Sequence, residues 1–139
     1  MGALAYRCND AVFTGDTLFG AGCGRLFEGT APQMYTSLSK LSALPPATKM
    51  FCGHEYAARN LTFASMLEPD NADIGERLTR VQALRDAGQP SVPSTIAEER
   101  ATNPFLRCDN DLFQRRVHPD RSVQAAALFA EIRQRRNGF

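Results

Sequence analysis

The chain has 139 residues, 43% of them apolar, the size of one average domain or two small ones with enough apolar material for a core. Sixteen Lys and Arg face fifteen Asp and Glu, a net charge of +1, so the balance draws the chain neither to nucleic acid nor to a membrane surface. No apolar run approaches the ~18 residues of a membrane helix, and the four cysteines form no C-x-x-C pair, which points to reduced thiols in a cytoplasmic protein and away from a zinc ribbon or redox motif.

The opening residues 1–6 have neither a basic leader nor a long apolar run and are not expected to form a signal peptide. Strands are predicted over 3–8 and 11–14, with Asn9-Asp10 as the turn between them. A loop with Gly20, Gly22, Gly24 and Gly29 follows and is expected to be flexible. Thr30 and Gln33 form a capping box for a helix whose apolar positions are Met34, Leu38 and Leu41, stopped by Pro45-Pro46. A third strand over 49–52 closes on Gly53-His54.

From about Tyr56 the periodicity becomes helical. Leu61, Phe63, Ala64 and Leu67 mark one helix, ended near Pro69; Asn71 caps the next, with Ile74, Leu78 and Val81 as its stripe and Gly88 as its end. Residues 89–94 read as a Pro-containing linker, and Thr95 with Glu98 as another capping box. A last helix is predicted over 122–136, with Ala125, Leu128, Phe129 and Ile132 on one face. The fold class is thus α/β to about residue 58, followed by a helical domain.

Two side chains stand at predicted strand ends, where ligand sites open in layered α/β folds. Asp16 offers a carboxylate that can bridge two metal ions, and His54 an imidazole suited to zinc or iron. Alone, an Asp after a strand is an ordinary turn or cap residue and a lone His is commonly structural; the two gain force together. The glycine run is not a dinucleotide cradle, because position 25 is Arg and Asp16 would repel a pyrophosphate. Fourteen of the sixteen basic residues are Arg, whose planar fork grips carboxylates in a bidentate way. Arg133 and Arg136, spaced i, i+3, share a helix face bordering the apolar stripe, so both heads are expected to reach a neighbouring domain; a favourable helix C-terminus, worth ~0.3–1 kcal/mol, is the plainer account of them. His118, beside Pro119, belongs to no motif and reads as a surface residue.

The segments Thr14-Gly15-Asp16-Thr17-Leu18-Phe19, Gly22-Cys23-Gly24-Arg25-Leu26-Phe27-Glu28-Gly29-Thr30, Cys52-Gly53-His54-Glu55-Tyr56, Val92-Pro93-Ser94-Thr95 and Asn103-Pro104-Phe105-Leu106-Arg107 occur in the order found in glyoxalase II, and the chain resembles that family over nearly its whole length. The resemblance implies the second half of a metallo-β-lactamase αββα sandwich (residues 1–58) followed by a helical glutathione-binding domain (59–139). It implies hydrolysis of S-(2-hydroxyacyl)glutathione to glutathione and a 2-hydroxy acid, as in methylglyoxal detoxification, by a full-length enzyme holding two divalent metal ions: zinc, or else iron or manganese. By the same resemblance Asp16 bridges the two ions, His54 is a terminal ligand, and a metal-bound hydroxide is the nucleophile, the metal lowering the pKa of water to roughly 7. Arg25, Tyr56, Arg133 and Arg136 match substrate contacts, while Phe27 stands where some members carry Tyr.

The family's upstream H-x-H-x-D-H and P-G-H-T segments have no counterpart, since the sequence holds two histidines in all, His54 and His118. The chain is therefore expected to be shortened on its N-terminal side and probed alone to be inactive, with an apolar sheet face left open to pair with another chain. Two alternatives carry different chemistry. Persulfide dioxygenases share the fold but use one iron and generally lack the tail at 62–139. A catalytically silent glutathione-binding or interaction module would also account for an incomplete metal shell.

Overall fold

The computed structural model describes residues 3–139; Met1 and Gly2, which the sequence reading assigns to the first segment, lie outside the described residues. A four-stranded sheet runs in the order β1 (Tyr6–Cys8), β2 (Ala11–Gly15), β5 (Lys49–Cys52), β6 (Ser94–Thr95). Between β2 and β5 come a small hairpin, β3 (Leu18–Phe19) with β4 (Gly22–Cys23), and helix α1 (Ala31–Ser42). β1 and β2 are antiparallel, β2 and β5 parallel, β5 and β6 antiparallel. The parallel pair is the important one, because it brings the carboxyl ends of β2 and β5 to the same edge.

Alternation divides the sheet. Val12, Thr14 and Met50 point inward beneath α1, and the core continues through Leu38, Phe63, Phe105, Phe113, Leu128, Phe129 and Ile132. This core draws on both segments of the chain. The other face carries Tyr6, Phe13 and Phe51, in register across three strands. Phe13 and Phe51 stack at 5.1 Å, yet Phe13 is 45% and Tyr6 65% exposed.

The rest is helical: α2 (Ala57–Leu67), α3 (Ala72–Asp86), α4 (Ile96–Thr102), α5 (Asp111–Val117) and α6 (Ala125–Asn137). No helix among the described residues is long and apolar enough to cross a membrane. The Thr30 capping box forms in full, its two bonds being 2.9 and 3.4 Å. Asn71 caps α3 through Asp73 N–H. α2 and α3 pack on each other through Ala57, Leu61, Ala64, Ile74 and Val81.

Several sequence expectations are corrected. The first strand begins at Tyr6, not at residue 3. The first part of the glycine loop is the buried β3–β4 hairpin, wedged so tightly that a β-carbon on Gly22 would lie 2.4 Å from the Asn60 amide nitrogen, while Gly29 is exposed beyond it. Thr95 caps α4 through Glu98 N–H, but the Glu98 carboxylate pairs with Arg77 and Arg80 and does not complete the box. The last helix starts at Ala125, with Gln124 as its cap. His118 is not a surface residue: it ends α5 half-buried, its Nε2 2.6 Å from Glu131 on α6. β6, α5 and the 3-10 turn Pro104–Leu106 have no counterpart among the predicted elements, all being too short for a periodic signal.

Candidate functional site

The site is built first at the carboxyl ends of β2 and β5. Gly15, at φ +52°, ends β2 in a conformation that costs a β-carbon-bearing residue strain, and so turns Asp16 out of the sheet. The turn is held by Thr14 Oγ1, which donates to Leu18 O at 2.7 Å. Gly53 N–H donates to Gly15 O at 2.9 Å, and a β-carbon at Gly53 would stand 2.9 Å from Asp16 Oδ1. His54 thereby arrives with Nε2 3.3 Å from Asp16 Oδ1. The imidazole stacks on Tyr56 at 4.9 Å and 12°, with Phe19 against both rings. Glu55 turns away to grip Ser91 N–H at 2.9 Å and Val92 N–H. Partial burial works against its charge, but the bonds from Ser91 and Val92 and the charge of Arg85 hold its carboxyl below the ordinary value.

A second group of side chains comes from the helices. Arg133 lies on the buried face of α6, four residues after Phe129, with its guanidinium 5.1 Å from the Phe105 ring centre. Its Nη1 donates to Cys23 O at 2.6 Å and Gly24 O at 3.4 Å, holding the end of the hairpin. Arg133 Nε is buried without a partner. Arg136, one turn on, is half-buried and donates through Nε and Nη2 to Asn60 Oδ1 at 3.2 and 3.1 Å. The Arg25 side chain, just past the hairpin, is exposed and makes no hydrogen bond or ion pair with the described residues. The Tyr56 hydroxyl also has no hydrogen-bond partner among them.

These groups meet in one cleft of about 540 Å³, lined among others by Asp16, His54, Tyr56, Arg25, Arg133 and Arg136. All six side chains singled out from the sequence therefore share one cavity. Arg59 and Phe27 stand at it as well, Phe27 being 86% exposed. No Asp or Glu side chain pairs with Arg25, Arg59, Arg133 or Arg136 among the described residues. Burial first, and then the charges of Arg59, Arg133 and Arg25, push the Arg136 pKa down. Arg59 Nη2 donates to Phe139 O at 2.9 Å, which leaves Arg25 and Arg136 as the cleft guanidiniums best suited to take an anion. Arg133 thus reaches the first segment of the chain, though at 5% exposed it serves two backbone carbonyls there, whereas Arg136 is held by Asn60 of the helical segment.

Cys23 also lines the cleft, but it is no nucleophile. Burial pushes its thiol up to about 11 despite the opposing pull of Arg133 and Arg136. As for a metal, Asp16 and His54 present two donor atoms side by side, and no group of three His, Cys, Asp or Glu gathers among the described residues. A closed or catalytic zinc shell takes three or four protein ligands, so these residues do not hold a metal by themselves.

Neither Arg59 nor Asn60 stands out in the sequence. A helix beginning at Ala57 places positions 59 and 60 one turn beyond Tyr56 and on the same side, which is the signal that finds them once Tyr56 is suspected.

A family model described as "Hydroxyacylglutathione hydrolase C-terminus" matches residues 55–139. The chain is similar to a hydroxyacylglutathione hydrolase of Alkalilimnicola ehrlichii, 57% identical over 106 residues, covering 76% of this chain and 41% of that protein. It is 48% identical over 141 residues to a protein of the same name from Roseobacter denitrificans, covering 100% of this chain and 55% of the relative. With that of Methylococcus capsulatus it shares 52% identity over 137 residues, covering 99% of this chain and 53% of the relative. The chain spans about half the length of the curated relatives it matches.

Proposed function

The chain belongs to the hydroxyacylglutathione hydrolase family, and from that premise we propose that it supplies the glutathione-binding part of a hydrolase that cleaves S-(2-hydroxyacyl)glutathione with water into glutathione and a 2-hydroxy acid. The observation that carries the reading is the composition of the cleft: arginines that no Asp or Glu side chain pairs, together with the Asp16–His54 pair. Glutathione is a peptide with two carboxylates, so Arg25 and Arg136 are suited to grip it by charge-assisted bonds and Tyr56 to donate a hydroxyl bond to its amides. That grip places the thioester carbonyl near Asp16 and His54. We assign these two as part of the ligand set of a centre of two divalent metal ions, zinc foremost, completed by residues outside this chain.

On the same reading, residues 1–58 form part of a metallo-β-lactamase-like layer and 59–139 the helical domain. The exposed row Tyr6, Phe13, Phe51 then belongs to the face that a second sheet covers in the full protein. A cytoplasmic location agrees with four free cysteines and a glutathione substrate. The persulfide dioxygenase alternative is not favoured, because the matched family region 55–139 is the helical tail those enzymes generally lack.

The test is binding of glutathione and S-hexylglutathione to this chain by calorimetry. Arg25→Ala and Arg136→Ala are expected to weaken binding roughly ten- to a hundredfold, since a lost bond to a charged group costs ~1.5–3 kcal/mol. Affinity unchanged in both variants would mean that the cleft is not the glutathione site.

A further inference from the structure

Asn60 is 5% exposed and sits at the junction of three elements. From α2, its Nδ2 donates to Gly20 O at 3.0 Å, and its Oδ1 accepts from Nε and Nη2 of Arg136 at 3.2 and 3.1 Å. The amide cannot be turned over. A guanidinium has donors only, and a carbonyl accepts only, so the flipped group would set donor against donor and acceptor against acceptor. Gly22 closes the remaining side, since a β-carbon there would lie 2.4 Å from Asn60 Nδ2.

Arg136 needs such a holder. It has no carboxylate partner, and Arg25, Arg59 and Arg133 all repel its charge. A long cation in that setting is driven toward open solvent. Two bonds to one neutral oxygen fix the plane of the guanidinium without cancelling its charge, and they leave Nη1 with no partner among the described residues. An Asp in the same place would keep both bonds to Arg136 but neutralise it, and would lose the donor to Gly20 O. We infer that Asn60 is the positioning residue of the anion site, holding Arg136 in the cleft as an oriented, uncompensated cation for a carboxylate of the ligand. The inference rests on the reading of the cleft as a glutathione site.

The test compares Asn60→Ala, Asn60→Asp, Arg136→Ala and the double variant Asn60→Ala/Arg136→Ala in this chain. The readouts are glutathione affinity by calorimetry and hydrogen exchange of the Arg136 Nε–H by NMR. Asn60→Ala is expected to weaken glutathione about tenfold and to speed Nε–H exchange, and the double variant to bind no more weakly than Arg136→Ala. Asn60→Asp is expected to keep Nε–H exchange slow while weakening glutathione about tenfold, which separates a cancelled charge from a lost holder. If Arg136→Ala weakens binding while Asn60→Ala and Asn60→Asp do not, or if the Asn60→Ala and Arg136→Ala losses multiply, the inference fails and the glutathione reading stands. Should Arg136→Ala leave affinity unchanged, the cleft reading fails, and the inference with it. Should Asn60→Ala not fold, Asn60→Asp decides: wild-type affinity in that variant overturns the inference.

Discussion

The fully buried carboxylate of Glu99 accepts the backbone N–H of Ala21 at 2.9 Å, across 78 positions of sequence. Ala21 is the left-handed turn residue of the β3–β4 hairpin, at φ +54°. The same carboxylate takes Arg77 at 2.6 Å, Ser94 Oγ at 2.6 Å and Asn103 Nδ2 at 3.1 Å. One α4 side chain thus ties the hairpin to α3, β6 and the turn after α4, and the hairpin in turn carries Cys23, Gly24 and Arg25 to the cleft.

Removing that carboxylate leaves the Ala21 N–H unpaired and the buried Arg77 with only the Thr102 hydroxyl and a 3.5 Å ion pair to Glu98. Glu99→Ala is expected to cost ~3–5 kcal/mol, the scale of breaking a buried ion pair from one side. Urea unfolding followed by circular dichroism checks it. A loss under ~1 kcal/mol would mean that the hairpin does not depend on this hub.

The cysteines separate by burial. Cys23 and Cys108 are buried, and burial raises both thiols, Cys23 to about 11 and Cys108 further. Cys8 is exposed. At pH 7 a colorimetric disulfide reagent is expected to label Cys8 quickly and to reach Cys23 and Cys108 only after denaturation. Rapid labelling of Cys23 in the folded chain, identified by peptide mass, would contradict a closed hairpin.

How far the sequence alone leads can be seen in these same residues. The strand ends that carry Asp16 and His54 are legible because alternation and turn residues bracket them, and the caps Thr30 and Asn71 because capping is local chemistry. The spacing of Arg133 and Arg136 is legible too, but not their different surroundings. Whether an arginine faces solvent or two carbonyls depends on the hairpin 110 positions earlier. The burial of the glycine run at 20–24 is hidden for the same reason: it packs against Asn60 and Glu99, not its neighbours in sequence. His118 looks solitary until α6 brings Glu131 to it.

That last contact sets a pH dependence. Burial opposes the charge of Glu131, but the bond to His118 and the charge of Arg135 hold its carboxyl below the ordinary 4.5. Glu55 is likewise held below 4.5 by Ser91 and Val92. A carboxylate with a depressed folded-state pKa stabilises the fold above its unfolded value, and the contribution is lost as pH falls through the folded value, because the unfolded chain then binds more protons. Thermal stability is therefore expected to drop as pH is lowered below about 4.5, and to drop less steeply in Glu131→Gln and Glu55→Gln. Parallel pH profiles for wild type and both variants would remove these contacts from the account.

The final prediction concerns metal and activity. Asp16 and His54 are 72% and 50% exposed at their side chains and lie 3.3 Å apart, so they present two donors that nothing else among the described residues joins. Two protein ligands leave an ion held largely by water, far short of the three or four that a zinc shell uses. The isolated chain is expected to bind zinc only weakly and to hydrolyse S-lactoylglutathione negligibly, even while the arginine side of the cleft still takes up glutathione. Equilibrium dialysis with zinc, read by elemental analysis, checks the first point, and thiol release from the thioester checks the second. Asp16→Ala should abolish the residual metal binding yet spare glutathione affinity, whereas Arg136→Ala should do the reverse. Stoichiometric uptake of two zinc ions by the pure chain would mean that ligands other than Asp16 and His54 complete the centre within these 139 residues.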